Sequence, residues 1–184
     1  LVKSKEKFCG YMVFRSNQGT GDHLQNEFDT QNLKPFSSGY VVGKITEKPY
    51  TTLGGHVFFS ISKNDVIIKC AVYKPTRLTT ITEKLMEGDL VKIGGGIRKS
   101  SKKHKRVINI EFLEILGLQR HIVMVNPLCI ECKKRMKSKG KNQGYRCSRC
   151  GNTSLTQIKQ EIPRQIEKQF YLPVPSAHRH LTRP

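Results

Sequence analysis

A mainly β chain, a small closed barrel followed by a metal-knit ribbon, is predicted by three observations. Between residues 37 and 117 five segments alternate apolar and polar residues, the mark of half-buried strands. One patch at helical spacing falls between the third and fourth of them. Further on, two CxxC pairs supply four thiols at the interval of a tetrahedral metal site.

The first strand begins in Ser37–Thr46 (SSGYVVGKIT), and the second is Val57–Ile61 (VFFSI), with Val57, Phe59 and Ile61 sharing one side. After a turn at Lys63-Asn64-Asp65, Val66–Tyr73 (VIIKCAVY) points Val66, Ile68, Cys70 and Val72 inward. Pro75 ends that strand, and Leu78, Ile81 and Leu85 follow at helical spacing. Gly88-Asp89 turns the chain into Leu90–Ile97, which runs through Gly94-Gly95-Gly96, and Val107–Leu116 is the fifth strand. Consecutive glycines inside a strand suit a barrel corner, where the chain bends or bulges. Three strands, a short helix and two more strands is the order of an OB-fold, expected here over residues 35–118.

OB-folds bind single-stranded nucleic acid across their second and third strands, stacking bases on aromatics. Phe58 and Tyr73 lie on the outward side of those strands with Lys69 nearby, so all three are candidates. The alternative for Phe58 is packing beneath a neighbouring module. Between the fourth and fifth strands, Arg98–Arg106 (RKSSKKHKR) holds Arg98, Lys99, Lys102, Lys103, Lys105 and Arg106 beside His104, without an acid. A solvated face is the bland account of such a run, but its place beside the binding face favours phosphate contact.

Cys129-Ile-Glu-Cys132 and Cys147-Ser-Arg-Cys150 bracket residues 133–146, an arrangement suited to structural zinc, and define a zinc ribbon over 119–156. Gly151 supplies the residue without Cβ that a knuckle needs after its second cysteine. Rubredoxin-like iron and two disulfides are the alternatives. Four protein ligands leave no open position for catalysis by the metal. Lys133, Lys134 and Arg135 open a hairpin that holds eight basic residues between 133 and 149 and no acid, a second cationic surface.

The totals agree with a polyanionic partner: 33 Lys+Arg against 14 Asp+Glu give a formal net charge of +19. No apolar run approaches the roughly 20 residues needed to span a membrane. No signal-peptide pattern is visible, and the absent initiator Met suggests a chain cut from a longer one. Of the six cysteines, four sit in pairs, Cys9 is isolated and Cys70 faces inward, so a reducing, cytoplasmic compartment is expected rather than a disulfide framework.

The flanks are less regular. Phe8–Phe14 (FCGYMVF) reads as a strand, and Arg15–Leu24 (RSNQGTGDHL) as a polar loop carrying Asn17, Gln18, Thr20, Asp22 and His23 around Gly19 and Gly21. Such glycines free the backbone to converge N–H groups on an anion or polar ligand, although the loop is no Walker A motif. The bland account is a turn between strands whose polar residues face water. Asn32–Phe36 is a linker with Pro35 near its end. Residues 157–184 read as a basic C-terminal tail: Gln157–Gln169 as a helix broken by Pro163, Leu172–Pro175 as extended, and Ser176–Pro184, with His178 and His180, as a basic segment for which disorder is the bland account.

The stretches RSNQGTGDHL, SSGYVVGKI, HVFFSISKND, GDLVKIGGGIRK and NPLCIECKKRMKSKGKNQGYRCSRCG together resemble the C-terminal half of the archaeal 2-agmatinylcytidine synthetases that act on the AUA-reading isoleucine tRNA. That family uses ATP to attach agmatine to the wobble cytidine, and is built from kinase-like, ferredoxin-like, OB-fold and zinc-ribbon domains. The resemblance implies that residues 1–34 are the terminal strand and loop of the ferredoxin-like domain, and that no kinase-like domain is present. It implies tRNA, agmatine and ATP, with Mg, as partners of the parent enzyme, structural zinc in this part, and neither DNA nor a membrane. Asn17, Gln18 and Thr20 become substrate-binding candidates, and Asp22 and His23 catalytic ones that an upstream half would complete. The competing expectation is a free-standing OB-plus-ribbon adaptor of the exosome-cap kind, which has no use for the Arg15–Leu24 cluster.

Overall fold

The computed structural model describes residues 9–100 and 106–179. They form two compact units, one holding residues up to Gly117 together with the stretch from Lys168, the other Leu118–Glu167.

The first unit is the expected barrel. Its strands are β1 (Ser38–Ile45), the short β2 (Tyr50–Thr51), β3 (Val57–Lys63), β4 (Val66–Val72), β5 (Leu90–Arg98) and β6 (Val107–Gly117). Neighbours run in the order β1-β5-β6-β4-β3, and β1 closes the circle by pairing β3 at Lys44↔Ser62 and Ile45↔Ile61. The β4–β6 pairing is parallel, whereas the other core pairings are antiparallel. The β3–β4 hairpin turns on Asn64 and Asp65, with φ of 48° and 62°, as a tight turn twisted to suit the strands requires.

Alternation puts Val41, Ile45, Val57, Phe59, Ile61, Ile68, Cys70, Val72, Val91 and Ile93 inside. Burial pushes the Cys70 thiol well above its ordinary value, which leaves it an inert apolar group. Ala71 is buried on the outward side of β4, flanked by Phe58 on β3 and Asn109 on β6. The helical patch contracts to α1 (Thr79–Thr82), a single turn whose flanking Leu78 and Leu85 plug the barrel. Gly94-Gly95 carries a register shift against β6, and Phe112 lies over Gly94 on the outside. The glycines thus serve a bulge and a covering ring.

The flanks depart from expectation. Composition predicts a strand at Phe8–Phe14, but residues 10–14 carry no regular structure and Tyr11, Met12, Val13 and Phe14 are exposed. An extended segment becomes a strand only beside a partner, and no described strand pairs with this one. The stretch 157–184, expected as one basic tail, contributes to both units. In place of a broken helix, Ile158–Glu161 pairs with Ile122–Val125, and Ile162 N, just before Pro163, donates to His121 O at 2.8 Å. Beyond Lys168, Phe170–Tyr171 adds a strand to β6, with the Phe170 ring 5.0 Å from that of Phe112.

In the second unit β7 (Ile122–Val125) pairs with β11 (Ile158–Glu161). Between them β8 (Lys137–Ser138), β9 (Tyr145–Arg146) and β10 (Thr153–Ser154) form a three-stranded ribbon. Its buried centre is Cys129, Met136 and Cys147, with Cys132 and Tyr145 packed against them. So small a centre cannot hold a fold by apolar burial alone.

Candidate metal centre and nucleic-acid faces

The four ribbon cysteines converge. Their sulfurs all lie within 4.8 Å of one another, and Cys129 Sγ is 3.4 Å from Cys150 Sγ, too far for a disulfide. All are free thiols. A tetrahedron with Zn–S of about 2.3 Å has sulfurs about 3.8 Å apart, so the set fits zinc held by thiolates alone.

Each knuckle closes a turn through its first cysteine's carbonyl. Lys133 N donates to Cys129 O at 2.9 Å with Lys133 at φ 56°, and Gly151 N donates to Cys147 O at 3.1 Å with Gly151 at φ 82°. The first knuckle therefore places a lysine where the second has the expected glycine. Backbone N–H groups of Cys150 and Arg149 aimed at the Cys147 sulfur bring its pKa down to about 6. Cys150, hydrogen-bonded to its fellow thiols and desolvated despite help from the Asn152 amide, is pushed up to about 12. Only a cation brings all four to the thiolate state at neutral pH.

Of the ribbon's cations, Lys133 and Lys134 are exposed, whereas Arg135 braces the unit by donating to Asn126 O (2.8 Å) and Gln160 Oε1 (3.1 Å). A concave face of about 610 Å³ is lined by Lys137, Lys139, Arg146 and Arg149 beside Cys147 and Cys150. The density of cations between the cysteine pairs was the sequence signal for it.

On the barrel, Phe58 is half-buried and stacked on Tyr50, centroids 5.9 Å apart and planes 21° from parallel. Tyr73 donates its hydroxyl to Asn109 Oδ1 (3.3 Å) and meets the His56 ring edge-on at 5.1 Å. Lys69 is exposed. Tyr50 and His56 belong to this aromatic face, although they lie outside the strands that carry the predicted alternation. Arg98 and Lys99 are exposed where β5 ends, and Arg106 donates to Leu33 O. Lys102, Lys103 and Lys105 lie outside the described residues.

The Arg15–Leu24 loop is a set of turns. Gly19 and Gly21 take φ of 66° and 73°, Thr20 Oγ1 donates to Asn17 O (2.8 Å), and Asp22 N donates to Thr20 Oγ1 (3.2 Å). Asn17, Gln18 and Asp22 are exposed, and Gln25 donates to Asp22 Oδ1 at 3.0 Å. His23 instead turns onto the barrel, its Nε2 3.0 Å from Oε2 of Glu111 in β6, while Nδ1 is buried. Arg179 reaches the other oxygen of Glu111 at 3.1 Å. Sequence reasoning missed Glu111; an acid within the apolar run I-E-F-L-E-I was the only clue.

A closed OB barrel joined in sequence to a four-thiolate ribbon defines an OB-fold and zinc-ribbon protein. Residues 126–166 match the family described as the TiaS C-terminal zinc ribbon domain. The chain is 46% identical over 184 residues to TiaS, the isoleucine-tRNA 2-agmatinylcytidine synthetase of Cenarchaeum symbiosum (strain A), covering 100% of this chain and 41% of that protein. It is 38% identical over 186 residues to the TiaS of Thermofilum pendens (strain DSM 2475 / Hrk 5), again covering 100% of this chain and 41% of that protein. The crystal structure of a TiaS complex with its isoleucine tRNA and ATP superposes with a TM-score of 0.75 at 33% identity, covering 91% of this chain and 38% of that one. The chain matches the C-terminal part of the TiaS synthetases and spans about 41% of the length of these curated relatives. No helix of the described residues is long and apolar enough to cross a membrane.

Proposed function

We propose that the chain is the tRNA-binding part of an ATP-dependent synthetase that attaches agmatine to the wobble cytidine of the AUA-reading isoleucine tRNA. The end-to-end match to the C-terminal part of a 2-agmatinylcytidine synthetase carries this reading. ATP, Mg and agmatine belong to the reaction of the whole synthetase, which works where its tRNA is, in the cytoplasm. Asn17, Gln18 and Asp22, exposed on the first loop, are the polar groups this part offers to that reaction. Zinc held by Cys129, Cys132, Cys147 and Cys150 is structural: it keeps the ribbon's cations in register and touches no substrate. The matches give no support to the adaptor reading.

RNA is held through phosphates. Each neutralised phosphate contributes about −0.7 to −0.9 to the slope of log K against log salt. Titrating the chain with a transcript of that tRNA at several salt concentrations is the test. Changing Lys137, Lys139 and Arg149 together to Gln is expected to flatten the slope by roughly 2 to 3. Failure to bind the transcript refutes the reading, and an unchanged slope shows the ribbon face to be merely solvated.

A further inference from the structure

From a second cavity, on the barrel unit, we infer a pocket for one unpaired nucleotide of RNA, with Phe36 as its stacking surface and Arg98 and Lys99 as its phosphate contacts. The inference rests on the RNA-binding reading and adds to it a site beyond the aromatic face of β3 and β4, which it adjoins at Asn109. The cavity measures about 600 Å³, within the range of small-ligand sites, and is lined by Phe36, Ser38, Arg98, Lys99, Asn109 and Arg179 among others.

Its chemistry is one-sided. Three of the lining residues are cations and none is an acid. Arg179 is partly matched by Glu111 at 3.1 Å, and no acid among the described residues pairs with Arg98 or Lys99. Asn109 accepts the Tyr73 hydroxyl on Oδ1, so its amide N–H groups are left to donate. Cations with no acid among the lining residues, beside amide and hydroxyl groups, suit an anion that carries further polar atoms, as a nucleotide does.

Phe36 decides between a bare anion and a nucleotide. It sits in a turn closed by Ser37 N donating to Lys34 O (3.4 Å), with Pro35 before it, and has φ 65°. Turns of this kind ask for glycine at that position. A phenylalanine there is strained, and at 81% exposure it recovers little by burial. Its own N–H is pinned to Ile97 O at 2.9 Å, while Ile97 N donates to Ser37 O at 2.8 Å, so the ring is presented from a fixed frame at the end of β5. A flat apolar ring beside the cations Arg98 and Lys99 matches a base and its phosphate, and base–aromatic stacking is indifferent to which base is present.

The test uses the whole chain and a short single-stranded RNA, followed by fluorescence anisotropy. Phe36→Gly relieves the backbone strain, so this variant is expected to melt at or above the parent's temperature while binding about 5- to 150-fold more weakly, with the salt slope unchanged. Phe36→Tyr is expected to bind as the parent does. Changing Arg98 and Lys99 to Gln together is expected to flatten the slope by about 1.4, two phosphates' worth on a single strand. AMP alone, tested as competitor, is expected to displace the RNA poorly; displacement at concentrations comparable to the RNA would assign the pocket to a free nucleotide and overturn the proposal. If the parent binds RNA and Phe36→Gly binds it equally well, the pocket is refuted and the function stands. If the parent binds neither tRNA nor the single strand, both fall.

Discussion

The three glycines of β5 give the most stringent test of the fold, because the same substitution has three different consequences within three residues. A Cβ on Gly95 would stand 1.9 Å from Asn109 O and 2.8 Å from Asn109 C, backbone atoms of the neighbouring strand. Nothing there can rotate aside, so Gly95→Ala must open the β5–β6 ladder at its bulge. Overpacking costs about 1–3 kcal/mol, occasionally more, and a backbone clash belongs at the upper end. About 3 kcal/mol lowers the melting temperature of a unit this size by roughly 10 °C. A Cβ on Gly94 would lie 2.0 Å from Phe112 Cε1, a side-chain atom that can swing if the ring gives up its contact with Phe170. Gly94→Ala is therefore expected to cost about 1–2 kcal/mol, most of it recovered in a Phe112→Leu background. A Cβ on Gly96 would meet nothing nearer than 3.5 Å, so Gly96→Ala should be neutral or, through lost chain entropy in the unfolded state, slightly stabilising. Thermal melts of the zinc-loaded chain followed by near-ultraviolet circular dichroism measure all three. If Gly95→Ala melts within a degree or so of Gly96→Ala, the bulge register is wrong.

The ribbon should depend wholly on its metal. Chelation or Cys147→Ser is expected to abolish its protected amides in hydrogen exchange while β1 and β3–β6 keep theirs, because a structural zinc contributes about 10–16 kcal/mol in small fingers and the ribbon's own centre is five residues. Because the metal-free ribbon is unfolded and carries its cysteines as thiols at pH 7, zinc loading there should release close to four protons, one from each of Cys129, Cys132, Cys147 and Cys150; calorimetry in buffers of different ionisation enthalpy measures this. For Cys147 the folded value lies below the ordinary 9.0, so in the metal-free state its thiolate favours the folded ribbon above that value and the benefit is lost as pH falls through about 6. Glu111→Gln should cost about 1–3 kcal/mol, less than the 3–5 of a fully buried pair because Arg179 is 55% exposed, as read from chemical denaturation.

The barrel was legible because its strands are long enough for a period of two to stand out, and because inward residues such as Val57, Phe59 and Ile61 leave no competing face. The metal site was legible because thiol spacing encodes it directly. What escaped has a common cause: short strands defined by distant partners. Ile158–Glu161 is charged and polar enough to read as helix, and its identity comes from Ile122–Val125. Phe170–Tyr171 is two residues long and exists as a strand only beside Leu113 and Glu114. The His23–Glu111 contact joins residues 88 apart, beyond any local signal. At the other extreme, Phe8–Phe14 has the composition of a strand, which is insufficient without a neighbour.

The contact on Glu111 bears on how the first loop works. A carboxylate 6% exposed must be compensated, and here it is met from both ends of the barrel unit, by His23 ahead of the first strand and by Arg179 after the last. The loop is thus tied to β6 through one ring whose Nε2 is engaged and whose Nδ1 is buried. The ring so placed ties the loop to the barrel. Asp22, one residue earlier, is exposed and keeps a carboxylate oxygen that no described donor occupies. The two residues that looked equivalent in the sequence therefore divide the work: His23 holds the loop on the barrel, and the turns stiffened by Gly19, Thr20 and Gly21 present Asn17, Gln18 and Asp22 outward from it. That division explains why a loop too polar to pack is nevertheless ordered, and why its order depends on an acid buried in a strand that lies well beyond it in the chain.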